Sequence, residues 1–119
     1  MKRIILVFIL VVLADSARLE AHAFLKDAEP SVGSTVQTSP NEVRIRFTEN
    51  IEPALSSIQI LDASGKEVDK RDVHLDRSDH ALLHVSLPRL GAGIYKVVWR
   101  VVSVDTHVTS GSFTFQVGR

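Results

Sequence analysis

The sequence of 119 residues predicts an all-β fold, an antiparallel β-sandwich of about seven short strands. Three observations carry that expectation. Beyond residue 22 almost every apolar stretch alternates with a period of two, as a strand with one buried face must, because successive side chains point to opposite sides of a sheet. Turn chemistry recurs between those stretches, at Asp62-Ala63-Ser64-Gly65 and again at Pro88-Arg89-Leu90-Gly91-Ala92-Gly93. Nothing in this region holds a helical repeat: residues 50–55 are few and contain Pro53, so any helix is a single turn.

The first 21 residues have a different character. Lys2 and Arg3 precede an unbroken apolar run of eleven residues, Ile4 to Ala14, and a short polar stretch leads to Ala21. That is the three-part layout of a secretory signal peptide. The run falls short of the roughly 20 residues that a helix needs to cross a bilayer, so export with cleavage is expected rather than a permanent anchor. Cleavage after Ala21 would leave residues 22–119 as one mature domain. Because Ala21-His22-Ala23 is itself a small-x-small pattern, cleavage after Ala23 stays open.

In chain order, the first strand is expected over residues 24–28. Val43, Ile45 and Phe47 alternate with Arg44, Arg46 and Thr48 to give a clear second strand. Further strands are read at 57–61, 67–75 and 81–87. A longer one at 94–102 is apolar almost throughout, which suits a central position, and Trp99 within it is expected to plug the space between the sheets. Phe113, Phe115 and Val117 alternate with Thr114 and Gln116 in the last strand.

Composition narrows the chemistry. No cysteine is present, which excludes disulfides, thiolate ligands and thiol nucleophiles, so any metal must be held by nitrogen or oxygen. After removal of the leader the chain has 11 basic and 12 acidic residues. That balance gives no basic footprint for nucleic acid, and no basic amphipathic helix is present to insert into a membrane.

Five histidines are the informative feature, since neutral imidazole is the commonest protein ligand for late first-row metals. His74, His80 and His84 lie in or beside expected strands and read as surface histidines. His80 and His84 are four apart, which on a strand separates them by roughly 13 Å, too far to chelate together. His22 and His107 are different. His22 becomes the first residue if the leader is cut after Ala21, and its amine and imidazole can then close a ring on one metal ion. His107, in the loop before the last strand, adds a third nitrogen. Three nitrogens with an oxygen from Asp105 or water suit the tetragonal preference of Cu(II), Asp105 acting as ligand or as orienter of His107.

These residues resemble a known family, the CopC periplasmic copper-resistance proteins. The likeness runs through His22-Ala23-Phe24-Leu25, Pro30 with Gly33, Arg46-Phe47-Thr48-Glu49-Asn50, and above all the block from Gly93 to His107 that ends in Val104-Asp105-Thr106-His107. The resemblance implies an Ig-like Greek-key β-sandwich, a periplasmic home and one Cu(II) per chain, held by the amine and imidazole of His22 with Asp105 and His107. Glu49 matches a glutamate near the family's site. Some members also hold Cu(I) on a methionine-rich loop, but the only methionine here is Met1. The expected function is therefore that of a monomeric carrier without catalytic activity, which sequesters Cu(II) or hands it to an inner-membrane transport protein of the CopD type. Two alternatives stay open at this point: a copper-dependent oxidative enzyme with a histidine-brace site, and an Ig-like interaction module that binds no metal.

Overall fold

The computed structural model describes residues 23–118. Among the described residues there are eight strands: β1 (Leu25–Glu29), β2 (Thr35–Val36), β3 (Glu42–Phe47), β4 (Ser57–Leu61), β5 (His74–Leu75), β6 (Leu82–Ser86), β7 (Gly93–Val102) and β8 (Val108–Val117). They form two four-stranded sheets, ordered β1-β3-β6-β5 and β2-β8-β7-β4, and the chain passes repeatedly from one sheet to the other. The expected all-β sandwich is the fold observed. Among the described residues the helical content is one 3-10 turn, Pro53–Leu55, with proline in its first turn where a missing N–H costs nothing.

The core follows from the period-two pattern. Val43, Ile45 and Phe47 of β3 and Leu83 and Val85 of β6 turn inward from one sheet; Ile58 and Ile60 of β4, Val97, Trp99 and Val101 of β7, and Phe113, Phe115 and Val117 of β8 meet them from the other. Trp99 fills the space between the sheets as expected, 7% exposed, with its ring edge-on to Phe47 at 5.2 Å between centroids. Its cross-strand partner on β8 is Gly111, where a Cβ would stand 2.6 Å from the indole. The bare glycine makes room for the ring.

Three details depart from the sequence reading. β2 was not anticipated: it is two residues long and runs parallel to β8, while every other strand pair is antiparallel. β8 begins at Val108, five residues before the first inward phenylalanine. The strand expected over 67–75 is mostly absent: Glu67 makes an isolated bridge to Leu61, and only His74 and Leu75 join a sheet. Aspartates explain the loss, because their carboxylates accept backbone N–H groups that a ladder would have used. Asp69 takes those of Ile60 and Arg71, Asp72 that of Ser86, and Asp76 those of Ser78 and Asp79.

His84 lies on the outer face of its sheet, as the alternation requires, yet its side chain is only 13% exposed. Its Nδ1 meets Glu42 Oε1 at 3.0 Å, its Nε2 meets Asp76 Oδ1 at 2.9 Å, and its ring stacks on His74. The expectation of a plain surface histidine is corrected here: neighbouring carboxylates cover it. His84 and the Ser78 donors hold the Asp76 carboxyl down to about 2, from an ordinary 3.8. A depressed carboxylate stabilises the fold above its unfolded pKa and loses that contribution as pH falls through the folded one. Asp76→Ala should therefore melt below the parent at pH 5, with the gap closing between pH 3.8 and about 2. Thermal melts across that range check it; an equal gap at both ends would mean that Asp76 acts through something other than its charge.

Candidate metal centre

The inward stripe of β7 runs Tyr95, Val97, Trp99, Val101 and continues to Ser103, just past the strand, which is 0% exposed. A buried hydroxyl must find partners, and Ser103 finds all of its own in the connection to β8. Its N–H donates to the His107 carbonyl at 2.9 Å, and its carbonyl accepts from Thr106 N–H at 2.8 Å. Its Oγ donates to Asp105 Oδ1, with a longer contact to the His107 carbonyl. Thr106 turns the chain with φ of 72°, a left-handed conformation that a β-branched residue adopts only when its surroundings impose it.

This tight connection brings two predicted ligands together. Asp105 Oδ1 stands 3.3 Å from His107 Nδ1, with the two side chains 51% and 43% exposed. Nδ1 itself is shielded from solvent. The Ser103 hydroxyl first, and His107 second, hold the Asp105 carboxyl below its ordinary pKa, so it is an anion at neutral pH. Both contacts fall on Oδ1, which leaves Oδ2 as the oxygen available to a ligand.

The beginning of the domain is fastened beside this loop. Ala23 is 0% exposed and belongs to the core cluster, and its carbonyl accepts from Thr109 Oγ1 at 2.7 Å, two residues beyond His107. Phe24 N–H donates to Thr48 Oγ1 at 2.9 Å, and Thr48 N–H returns a bond to the Phe24 carbonyl at 2.9 Å. Val104 N–H donates to the Asn50 carbonyl, so Glu49, which is exposed, lies between two ties to the same end of the sandwich. His22, the remaining predicted ligand, lies outside the described residues. Among the described residues no three His, Asp or Glu side chains are gathered to hold a metal ion. Asp105 and His107 are the two candidate ligands that the described structure brings together.

The other histidines are elsewhere. His74 and His84 stack on the outer face of the β1-β3-β6-β5 sheet, and both ring nitrogens of His84 face carboxylates. His80 is exposed in the turn before β6. Sequence reasoning passed over Ser103, Thr48 and Thr109, the hydroxyls that arrange this end. For Ser103 a signal existed, because it continues the odd-numbered inward stripe of β7 as the first polar member.

The CopC domain family matches residues 25–118, nearly all of the described chain. The chain belongs to the CopC family. Among its CopC-family relatives, the crystal structure of CopC from Methylosinus trichosporium OB3b shares 40% identity at a TM-score of 0.77, covering 82% of this chain and 94% of that one. PcoC from Escherichia coli, described as a methionine-rich copper resistance protein, shares 32% identity at a TM-score of 0.72, covering 82% and 99%. Copper transport protein CutJ of Bacillus subtilis is 30% identical over 83% of this chain, which spans 18% of that longer protein. Membership places the chain among copper-resistance proteins rather than enzymes, as the sequence led us to expect.

Proposed function

We propose that this CopC-family protein is exported to the periplasm, loses its leader after Ala21, and carries one Cu(II) ion bound by the amine and imidazole of His22, by His107, and by Asp105. The observation that carries the reading is the fastening of Ala23. Its carbonyl is held by Thr109, two residues from His107, so the first described residue of the domain is tied beside the Asp105–His107 loop. Cleavage after Ala23 would strip away a fully buried core residue and leave Thr109 without its acceptor, whereas cleavage after Ala21 keeps both. That favours His22 as the mature N-terminus.

The donor set suits the cargo. An imidazole from His107, an anionic oxygen from Asp105 and the two nitrogens of an N-terminal histidine make a nitrogen-rich set of the kind that Cu(II) prefers in a tetragonal arrangement. PcoC is described as methionine-rich; this chain has Met1 alone and offers the mature domain no thioether for Cu(I). We therefore assign Cu(II) as the carried ion and a single site to each monomer. In CutJ a region like this chain forms part of a longer copper transport protein, which supports delivery to a separate inner-membrane transporter of the CopD type.

The test is a native mass spectrum of the exported protein after incubation with Cu(II) and removal of the excess. A chain that begins at His22 and carries one copper is the expected species. A chain that begins at Phe24, or one that begins at His22 and stays metal-free, overturns the proposal. The amine, with a reference pKa near 8, must lose its proton to bind, and the imidazoles bind only in their neutral form, so affinity should fall as pH drops below about 7. Competition titrations from pH 8 to 5 check this, and a flat profile would rule out these ligands.

A further inference from the structure

We infer that Ser103 is a positioning residue of the copper site, holding Asp105 and through it the ring of His107 in the geometry that binds the ion. The inference rests on the ligand assignment proposed above, and it concerns a residue that touches no metal in that assignment.

Position 103 belongs to the core. It continues the inward stripe of β7 at 0% exposure and shares with Asp69 the distinction of being polar and buried among the described residues. Packing alone would favour an apolar side chain there, because a hydroxyl removed from water loses free energy unless it is hydrogen-bonded. Ser103 is bonded only toward the loop. Its N–H and carbonyl close the turn onto His107 and Thr106, and any residue could make those two bonds. The hydroxyl is what serine adds. It has one proton; the Asp105 carboxylate is the close acceptor, and the His107 carbonyl, at 3.4 Å, is the distant one.

The consequence reaches the metal-facing atoms in two steps. Ser103 engages Oδ1 of Asp105, which turns Oδ2 outward as the ligating oxygen. The same Oδ1 lies 3.3 Å from Nδ1 of His107, so the carboxylate that Ser103 fixes stands against the ring and limits how it can turn. Nδ1 is shielded from solvent, which leaves Nε2 as the ring nitrogen that can reach a metal. A hydroxyl, a carboxylate and an imidazole in series thus make an outer arrangement of the kind that orients metal-binding histidines in proteins.

The experiment compares the mature protein with Ser103→Ala, Asp105→Asn and the double variant. Cu(II) affinity is measured by competition, the copper-loaded forms by electron paramagnetic resonance, and the His107 ring of the metal-free forms by long-range nitrogen NMR. Ser103→Ala should lose about 10- to 100-fold in affinity, the range for an outer-sphere partner, with changed copper hyperfine values. It should also shift the His107 ring-nitrogen signals in the absence of metal, and the double variant should bind no more weakly than Asp105→Asn alone, because the serine acts through the aspartate. If the parent binds copper and Ser103→Ala binds it equally, with the same resonance and NMR spectra, the positioning role is wrong and the ligand assignment survives. If the losses in the double variant simply add, Ser103 acts independently of Asp105 and the inference fails. A parent that binds no copper removes the ligand assignment itself, while a shift of the His107 signals in Ser103→Ala would still report the coupling within the loop.

Discussion

His107→Ala is expected to lower Cu(II) affinity by more than the roughly 100-fold that marks the upper range for outer-sphere losses, because it removes a donor rather than its support. The fold should hardly notice. The side chain is 43% exposed and the residue's carbonyl, which accepts from Ser103 N–H, remains in an alanine. Exposed substitutions of this kind usually change stability by about 0.5 kcal/mol or less. A second variant with one glycine placed ahead of His22 separates the roles of amine and imidazole, since it keeps both imidazoles and moves the terminal amine out of chelating position. It should lose affinity too. His80→Ala, altering an exposed histidine in the turn before β6, should bind as the parent does. Isothermal or competition titrations of the three variants decide the matter: parent-like binding by His107→Ala would dismiss the loop as the metal centre, and parent-like binding by the extended chain would dismiss the terminal amine.

The fold was legible where burial imposes a strict alternation. Val43, Ile45 and Phe47, or Phe113, Phe115 and Val117, face one way because the alternative register would turn them to water. The reading failed where backbone groups found other partners. In residues 67–75 the apolar side chains change parity, Val68 being even and Val73 and Leu75 odd, and a single strand cannot bury both sets; the chain breaks between them at Asp69 and at Arg71, whose φ is 60°. β2 has two residues and offers no period to read, and the first half of β8 was hidden because Gly111, where an inward apolar residue would be expected, makes way for Trp99.

The candidate site was legible to a different depth. Asp105 and His107 were candidates because their residue types carry the chemistry, and the structure sets them side by side in one turn. Their relation to the start of the domain could not, since it depends on a threonine hydroxyl reaching a carbonyl 86 residues away in sequence. Ser103 was disguised as an ordinary strand terminus. Only its complete burial, known once the sheets are packed, turns a common residue into an informative one.

Trp99→Ala is expected to cost about 3–5 kcal/mol of folding stability, the range for truncating a large buried aromatic. The indole lies between the sheets, in edge contact with Phe47 from one side and over Gly111 on its own sheet. Neither neighbour can refill the space: glycine has no side chain to offer, and Phe47, 2% exposed, is already fixed within the core. A residual cavity is therefore expected, and this is why the upper part of the range is favoured. No disulfide is available to compensate, so against a typical stability of about 5–15 kcal/mol the loss would leave a small domain marginal at 37 °C. Urea unfolding of the metal-free protein measures it: the midpoint should fall steeply with little change in slope, because the surface exposed on unfolding is almost the same. The copper site adds a second reading of the same variant. Trp99 and Ser103 belong to one inward stripe, yet the ligand loop is held by its own turn, so saturating Cu(II) should still raise the unfolding midpoint of whatever remains folded. A loss below about 1 kcal/mol, less than most buried truncations cost, would mean that Trp99 does not bear the packing between the sheets.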